Sequence, residues 1–366
     1  MSVLQGDNGV YDVAIVGAGV VGLTIAYRLS KLGKRVIVLE KEEDAGRGVT
    51  AGQANVIHVV QLPFGSLKSR LARKGNTMYD ELCGELGVRL NRMPALLVVR
   101  GWSRLPALLI AYLYLKLELR GQFGVQLMRG RNLRGTEPLL ADDVTGGVVV
   151  QGYGSVDAQS LMSNLEAASE RLGTSFRFGW EVTSAEVREG ATLLKTSRGD
   201  VVARSVVNAA GLYSDDVSRM LGRDLGRHEP GLGVMAVYSD LKLVSIVAPL
   251  PISTGSRTKG GAIIPATDGT AIIGPTLRVA GSKEERAYTE SDLSTLRKKF
   301  GPLLRSEGKL VRVYTGVRPL SPTRDFVVDF DSKRKVVNLV GIESPGLTAA
   351  PAIAEMVERM IVGDTA

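Results

Sequence analysis

A glycine-rich turn near the N-terminus carries the clearest chemical signal in the sequence. Gly17, Gly19 and Gly22 form a G-x-G-x-x-G pattern directly after the apolar run 11–16. Such glycines let the backbone approach a pyrophosphate, which the N–H groups at the start of a helix attract. Glu40 lies roughly 20 residues further on, at a strand end where a carboxylate can bind ribose hydroxyls. The pattern predicts a dinucleotide site, with a purely structural glycine turn as the alternative.

The predicted dinucleotide site includes more residues than the three glycines. A carboxylate at the end of the second strand disfavours a 2′-phosphate, so FAD or NAD is expected rather than NADP. The residues expected to contact the dinucleotide in this first unit are Gly17, Ala18, Gly19, Val20, Gly22, Glu40 and Lys41. This unit by itself leaves the choice between FAD and NAD open.

Cysteine and histidine are too scarce for several other kinds of site. The chain has one cysteine, Cys83, and two histidines, His58 and His228. An internal disulfide and a cysteine- or histidine-rich metal centre are therefore excluded. We assign Cys83 to the core because it lies on the apolar side of a predicted helix. We predict that His228, in GRHEPG, is a surface or turn residue.

The elements around the glycine turn are typical of a β-α-β unit. The runs 11–16 and 35–39 are apolar and β-branched, as expected for buried parallel strands. Between them a helical pattern ends at Gly33, a predicted C-cap. Ser66 is the expected N-cap of a later helix. The pattern predicts helices at 66–90, 155–172, 291–300 and 349–361, strands at 175–187, 191–196, 201–207, 310–314 and 336–340, and a strand pair around Pro94 within 89–100.

Length and composition are those of a globular protein. The chain has 366 residues, of which 44% are hydrophobic and 23% are charged, and this excludes disordered, collagen-like and coiled-coil classes. The length exceeds one comfortable core, so we expect two domains. No run of about 18 apolar residues occurs, so we expect no segment that spans a bilayer. The N-terminus lacks the layout of a secretory signal.

Positive charge is concentrated in residues 100–135. This segment has seven basic residues and one acid, Glu118, so it contributes most of the net charge of +8. It also contains the uncharged apolar run 105–115. Apolar area beside cations suits a membrane surface with anionic lipids, whereas a buried helix or a subunit interface is the alternative. No recognition motif accompanies the charge, so we expect no nucleic-acid partner.

Longer stretches make the chain similar to a known family. The sequence resembles the D-amino-acid-oxidase-type superfamily of FAD-dependent oxidoreductases, within it the glycerol-3-phosphate dehydrogenase group and next the L-2-hydroxyglutarate dehydrogenases. The matching stretches are VAIVGAGVVGLTIAYRLSKLGKRVIVLEKE, GSLKSRLARKGNTMYDELCGELGV, VVNAAGLYSDDVSRMLG, TKGGAIIPATDGTAIIGPT, TGVRPLSPTRDFVV and NLVGIESPGLTAAPAIAEMV. They extend from the N-terminus to the last predicted helix, so the resemblance covers most of the chain.

The resemblance implies an α/β fold with two interleaved domains. A Rossmann-like FAD-binding domain would consist of residues 1–75, 150–217 and 320–366. A mainly antiparallel α+β substrate-binding domain would consist of residues 76–149 and 218–319. The resemblance thus selects FAD as the dinucleotide.

The resemblance also assigns FAD to particular positions outside the glycine turn. Gly346, Leu347 and Thr348 match the family's C-terminal signature, which lies against the flavin pyrimidine ring at a helix N-terminus. Val182 matches the strand that contacts adenine. The other expected FAD contacts are Thr50, Gln53, Ala209, Ala210, Gly211 and Gly316.

A base and fixed cations are expected beside the flavin. Oxidation of a secondary alcohol needs a base for the hydroxyl proton and cations that hold an anionic substrate. His58, in TAGQANVIH, resembles the family's histidine beside the flavin and is the predicted base, with a structural histidine as the alternative. Lys259 and Arg318 match family positions and are assigned to catalysis and substrate binding. Arg257 and Arg324 are assigned to substrate binding, and a solvated surface cation is the alternative for each.

The resemblance implies an FAD-dependent dehydrogenase that converts sn-glycerol 3-phosphate to dihydroxyacetone phosphate by hydride transfer to flavin N5. Electrons would pass to a quinone or a partner protein, and several cations over one flavin favour a small phosphate ester as the substrate. The alternatives are an L-2-hydroxyglutarate dehydrogenase, an amino-acid or amine oxidoreductase, and an FAD-binding structural subunit of a larger dehydrogenase. We expect a cytoplasmic protein that touches the inner face of the cell membrane through 100–135, and a homo-oligomer remains open.

Overall fold

The structure, a computed structural model, describes residues 9–250 and 260–363. These residues form two sheets and eight α-helices. The helices are α1 (Val20–Lys31), α2 (Leu67–Leu86), α3 (Leu105–Leu119), α4 (Gly130–Thr136), α5 (Ala158–Arg171), α6 (Ser214–Met220), α7 (Glu290–Phe300) and α8 (Gly346–Val362). The strands are β1 (Tyr11–Val16), β2 (Val36–Glu40), β3 (Val56–Ile57), β4 (Leu90–Arg100), β5 (Val125–Arg129), β6 (Val144–Val156), β7 (Ser175–Phe178), β8 (Val182–Val187), β9 (Thr192–Thr196), β10 (Asp200–Asn208), β11 (Glu229–Ser239), β12 (Ile246–Pro249), β13 (Ala262–Pro265), β14 (Ala271–Gly274), β15 (Arg278–Val279), β16 (Lys309–Leu320), β17 (Val327–Asp331) and β18 (Val336–Val340).

The first sheet has five parallel strands at its centre, in the order β18-β10-β1-β2-β7. Antiparallel strands extend it, since β17 pairs with β18 and β9 joins β10 to β8. Within β1, Val13 and Ile15 pack with residues of α1, α5 and α8, whereas Ala14 and Val16 pack with residues of β8, β9 and α6. Burial on both faces explains why β1 is a continuous apolar run, and the predicted Rossmann-like layout is confirmed.

The first β-α-β unit forms as the sequence predicts. Helix α1 begins after Gly19 and ends at Lys31. Gly33 has a φ of 71°, in the left-handed region where glycine commonly ends a helix. The same unit therefore places the glycine turn at the carboxyl end of β1, next to the end of β2.

The second sheet has ten mostly antiparallel strands and carries helices on both faces. Its path is β15-β11-β14-β13-β12-β4-β6-β3, with β16 paired to β11 and β5 paired to β6. In this second sheet, as far as the structure describes it, only the pair of β4 with β12 is parallel. Leu96 of β4 clusters with Leu296 of α7, whereas the next residue, Leu97, clusters with Leu108 of α3. The predicted antiparallel α+β region is therefore confirmed.

One prediction about the second sheet is wrong. The segment around Pro94 is a single strand, β4, and not a pair of strands. Its pairing with β6 shifts register between Met93 and Ala95. Because proline cannot donate a ladder hydrogen bond, the strand accommodates it at an irregularity instead of a turn.

Helix α3 lies on one face of the second sheet. Leu108, Leu115 and Leu119 are buried among Val148 and Val150 of β6. The apolar run predicted in this segment is therefore a helix with one face in the core. None of the helices within residues 9–250 and 260–363 is long and apolar enough to cross a bilayer.

Candidate active site

A cavity of about 1480 Å³ is lined by residues from both sheets. One part of its wall contains Gly17 and Glu40, at the ends of β1 and β2. Another part contains His58, Arg318 and Gly346. Predicted site residues from distant parts of the sequence therefore meet in one cavity.

The glycines of the first turn are required by close backbone contacts. Gly17 has a φ of 107°, and a Cβ atom on it would lie 2.5 Å from the carbonyl oxygen of Ala209. A Cβ atom on Gly22 would overlap the carbonyl oxygen of Gly17. Gly19, the N-cap residue of α1, has no side chain that could occupy the first N–H groups of the helix. This concave backbone surface at a helix N-terminus suits a pyrophosphate.

Glu40 ends β2 next to the same turn. Its Oε2 accepts a hydrogen bond from the N–H of Ala18 at 2.7 Å, and its Oε1 accepts one from Glu42 at 3.0 Å. Burial raises the pKa of the Glu40 carboxyl, while these two N–H groups act in the opposite direction. The N–H of Trp180 donates to the Glu40 carbonyl at 2.8 Å, which brings the start of β8, with Val182, to this wall.

The remaining residues predicted for the nucleotide gather around the same wall. Thr50 Oγ1 accepts a hydrogen bond from the N–H of Val20 at 3.2 Å. Lys41 Nζ lies 3.8 Å from the centroid of the Tyr213 ring. The lining of the cavity also includes Ala209, Ala210 and Gly211. Ala18 and Gly22 do not line the cavity, and they act by holding Glu40 and the turn in place.

The N-terminus of α8 forms the wall at the predicted flavin end. Gly346 and Leu347 line the cavity, and no side chain caps the helix. Thr348 is fully buried behind them. Its Oγ1 accepts a hydrogen bond from the N–H of His58 at 3.1 Å and donates one to the carbonyl of Val56 at 3.2 Å. Thr348 therefore fixes the histidine segment to the start of α8.

The backbone of His58 is held on its other side as well. Asn76 Nδ2 donates to the His58 carbonyl at 2.9 Å. The imidazole makes an edge contact with the ring of Tyr153, with centroids 6.1 Å apart. The Tyr153 hydroxyl accepts a hydrogen bond from the N–H of Val60 at 3.1 Å. These contacts fix the path of the chain on both sides of a histidine that lines the cavity.

The segment before His58 adds a close backbone contact and a buried donor to the wall of the same cavity. Gly52 and Gly316 approach so closely that a Cβ atom on Gly316 would lie 2.5 Å from the Gly52 carbonyl oxygen. Gln53 Nε2 is buried and has no hydrogen-bond partner among the described residues. A buried donor without a partner costs about 1–3 kcal/mol, so it fits a site where a ligand accepts its hydrogen bond. With the glycine turn and the two uncapped helix N-termini, this donor makes the cavity suitable for FAD.

Arg318, in β16, brings a buried positive charge to the cavity. The residue is 9% exposed and lines the cavity wall. Burial lowers the pKa of its guanidinium, and the charge of Glu343 partly opposes this effect. Within residues 9–250 and 260–363, no carboxylate forms an ion pair with Arg318. Because a desolvated cation without a close counter-charge is costly, an anionic ligand would stabilise this arrangement.

Lys68 and Glu343 are cavity residues that the sequence does not single out. Lys68 is 4% exposed, its Nζ lies 3.6 Å from Glu343 Oε1, and it donates to the carbonyl of Arg324. The stretch GSLK predicts only a helix start, and Ser66 does accept a hydrogen bond from the N–H of Ser69 there. A lysine in the first turn opposes the helix dipole, and this is the signal that could have indicated a binding role.

The other predicted cations are placed differently. Arg257 and Lys259 lie outside the described residues. Arg324 is exposed at the rim of the cavity, with a φ of 57°. Of the two predicted cations that the structure describes, Arg318 is buried at the cavity and Arg324 is exposed.

The prediction for His228 is wrong. The residue is 7% exposed, and its N–H donates to Asp215 Oδ2 at 3.1 Å. Burial lowers the pKa of the His228 imidazole, although Asp215 acts in the opposite direction. Lys283 Nζ also contacts Asp215 Oδ1, at 2.7 Å. This buried cluster depends on tertiary packing, so the polar residues next to His228 carry no sign of it.

Tyr79 replaces a hydrogen bond that α8 cannot make. Pro351 lies inside α8 and has no N–H, so the carbonyl of Leu347 lacks its helical partner. The fully buried Tyr79 hydroxyl donates to that oxygen at 2.6 Å. Tyr79→Phe should therefore lower the free energy of unfolding by about 1–3 kcal/mol, measured by urea denaturation.

Two further variants test this assignment. Tyr27→Phe is the matched control, because that hydroxyl donates to Glu85 at an exposed site, and we expect a change below about 0.5 kcal/mol. Adding Pro351→Ala to Tyr79→Phe should recover part of the loss, since alanine supplies an N–H four residues after Leu347. Equal losses in the two tyrosine variants would contradict the role of Tyr79.

Two dehydrogenases from other organisms are similar to most of the chain. The glycerol 3-phosphate dehydrogenase of Caloramator mitchellensis is 28% identical over 354 residues, which cover 94% of this chain and 72% of that protein. The mitochondrial L-2-hydroxyglutarate dehydrogenase of Arabidopsis thaliana is 26% identical over 411 residues, which cover 94% of this chain and 82% of that protein. The similarity therefore extends over both sheets.

The fold also matches a solved structure. The dithionite-reduced L-α-glycerophosphate oxidase of Mycoplasma pneumoniae with FAD bound has a TM-score of 0.87 at 24% identity, over 97% of this chain and 95% of that chain. The sequence pattern of the DAO family, described as FAD dependent oxidoreductase, matches residues 12–360. The glycine turn, the buried Gln53 donor and the cavity agree with this match. The chain belongs to the DAO family of FAD-dependent oxidoreductases.

Proposed function

We propose that the protein oxidises sn-glycerol 3-phosphate to dihydroxyacetone phosphate. The observation that carries this proposal is the buried guanidinium of Arg318, which lines the cavity without an ion-pair partner among the described residues. A charge-assisted, bidentate hydrogen bond to an oxyanion would offset its desolvation. The name of the Caloramator mitchellensis relative supports a phosphate ester as the anion.

Arg318 would hold the substrate phosphate. Lys68 adds a second buried positive charge to the same cavity, and Glu343 fixes its position at 3.6 Å. Lys259, from the family resemblance, and Arg257 are further proposed phosphate contacts, and Arg324 is a proposed contact at the rim. Fixed cations of this kind orient the substrate so that its secondary alcohol faces the flavin.

His58 would accept the hydroxyl proton of the substrate. FAD, when bound, accepts a hydride at N5. In the proposed reaction the imidazole would take the hydroxyl proton as the substrate gives up its C2 hydrogen as a hydride, and the C2–O bond would become the carbonyl of dihydroxyacetone phosphate. The hydrogen bonds of Thr348 and Asn76 to the His58 backbone support this role, because a base must keep its position relative to the substrate.

The assignment of FAD contacts is part of the proposal. The proposed contacts are Gly17, Ala18, Gly19, Val20, Gly22, Glu40, Lys41, Thr50, Gln53, Val182, Ala209, Ala210, Gly211, Gly316, Gly346, Leu347 and Thr348. We also propose the division into an FAD-binding domain and a substrate-binding domain at the boundaries predicted from the sequence. A quinone or an electron-transfer protein is the proposed acceptor.

Anaerobic bleaching of the flavin tests the proposed substrate. sn-Glycerol 3-phosphate should remove the visible flavin absorbance of the purified holoenzyme. Glycerol should bleach it about 10²-fold more slowly, because it lacks the group that Arg318 would bind through charged hydrogen bonds of about 1.5–3 kcal/mol each. Stopped-flow absorbance measures both rates at matched concentrations.

L-2-hydroxyglutarate is the second candidate substrate. The Arabidopsis thaliana relative supports it, and its carboxylates would also suit a buried arginine. Bleaching by L-2-hydroxyglutarate without bleaching by sn-glycerol 3-phosphate would show that the phosphate proposal is wrong. If the protein binds FAD and neither these substrates nor glycine bleach it, a structural subunit becomes the better interpretation.

A further inference from the structure

The outer face of α3 exposes an unusual amount of apolar surface. Ile110 and Leu117 are 69% and 73% exposed, and Leu109 and Leu113 are about half exposed. Leu109, Leu113 and Leu117 follow one another at intervals of four residues, and Ile110 precedes Leu113 by three, so the four side chains share one side of the helix. Trp102, just before the helix, is 74% exposed. We call these five side chains the outer α3 face.

The helix does not need the outer α3 face for its own packing. Leu108, Leu115 and Leu119 occupy the opposite side and are already buried against the second sheet. An amphipathic surface helix normally presents polar residues to water on its outer side. Contiguous exposed apolar residues of this kind mark an interaction site on a soluble protein.

Cations surround the outer α3 face. Arg104 precedes α3, and Lys116 and Arg120 lie at its end. Arg129 and Arg131 lie in the next strand and helix, and all five are exposed. Within the described ranges none of these five cations forms an ion pair with a carboxylate, so their charges are available to an anionic partner.

We propose that the outer α3 face docks on the surface of a bilayer that contains anionic lipids. Apolar side chains would enter the acyl boundary, and the surrounding cations would lie at the headgroups. A second copy of the chain fits less well. In a two-fold symmetric contact the same patch faces itself, so the cations of one copy would oppose those of the other.

Docking in this orientation would bring the cavity to the lipid surface. Tyr114 of α3 lines the cavity and makes an edge contact with Phe64, with ring centroids 5.2 Å apart. A lipid-soluble electron acceptor would then have a short path to the cavity. This last step rests on the proposed function, whereas docking itself does not.

Cosedimentation with vesicles tests the docking. Vesicles of phosphatidylcholine with about one third phosphatidylglycerol should carry the wild-type holoenzyme into the pellet, whereas pure phosphatidylcholine vesicles should carry much less. Ile110→Glu combined with Leu117→Glu should weaken binding to the anionic vesicles at least about tenfold. Arg129→Glu combined with Arg131→Glu should weaken it and reduce its dependence on salt.

The control variant changes exposed apolar residues elsewhere. Leu172→Glu combined with Val311→Glu should bind vesicles as the wild type does, because both residues are exposed and lie outside the outer α3 face. A wild type that stays in the supernatant, or equal losses in the control, would overturn the proposal. A different result would assign the face to contact between copies of the chain. In that case the wild type would not bind vesicles, and light scattering would show a dimer that Ile110→Glu combined with Leu117→Glu dissociates. All variants keep the cavity residues, so retained flavin bleaching separates failure here from failure of the proposed function.

Discussion

His58→Ala is expected to lower kcat by about 10²–10⁴-fold, the range for loss of a general base, while the protein keeps its FAD. The imidazole lines the cavity, and its backbone is fixed by Thr348 on one side and Asn76 on the other. Those backbone hydrogen bonds survive the substitution, so the cofactor site should remain intact. Steady-state turnover of sn-glycerol 3-phosphate with a dye acceptor measures the loss, and the visible absorbance measures FAD content.

Rescue by added imidazole distinguishes a base from a structural residue. A small base that diffuses into the space left by His58→Ala should restore part of the turnover, and more of it at higher pH. His228→Gln is the control, because that histidine is buried against Asp215 and does not line the cavity. It should leave kcat unchanged. Unchanged turnover in His58→Ala would remove His58 as the base, and loss of FAD would assign it to the flavin loop.

The features of the candidate site whose geometry could be predicted from the sequence are those fixed by the local backbone. Gly17 must adopt a positive φ in a tight turn, and one residue type at one position meets that requirement. The end of β2 follows from the pattern of a buried strand, and this pattern is enough to place Glu40 beside the turn. The family resemblance then supplied the second half of the cavity, which periodicity alone could not connect to the first.

The parts that were missed or wrong depend on contacts between distant segments. Lys68 enters the cavity because α2 begins beside Glu343, 275 positions later in numbering, and no local pattern records that approach. His228 is buried because Asp215 and Lys283 pack with it. For the apolar run 105–115 the sequence left a membrane-surface segment, a buried helix and a subunit interface open. The packing of α3 on β6 buries one side of the helix and leaves the other side exposed to water. The burial of these side chains is determined by tertiary packing and not by the local sequence pattern.

Gly22→Ala is expected to weaken FAD binding by about 10- to 10²-fold. The new Cβ atom would overlap the carbonyl oxygen of Gly17, and a backbone atom cannot turn aside as a side chain does. The Gly17 peptide must shift, although its N–H is bonded to the Leu39 carbonyl at 2.8 Å. Overpacking of this kind costs about 1–3 kcal/mol, and here the strain falls on the turn that would hold the pyrophosphate. Titration of the apoprotein with FAD, followed by quenching of flavin fluorescence, measures the dissociation constant.

Gly135→Ala separates the effect of the turn from that of alanine itself. Gly135 lies in α4, and a Cβ atom on it would meet no other atom within 4 Å. That variant should bind FAD as the wild type does and be as stable or slightly more so, since alanine favours a helix over glycine by about 1 kcal/mol. If Gly22→Ala folds, as an unchanged far-UV spectrum would show, but stays colourless, the loss of FAD binding lies at the phosphate turn. If it binds FAD with unchanged affinity, the close contact between Gly17 and Gly22 does not control cofactor binding, and the glycine turn is structural after all.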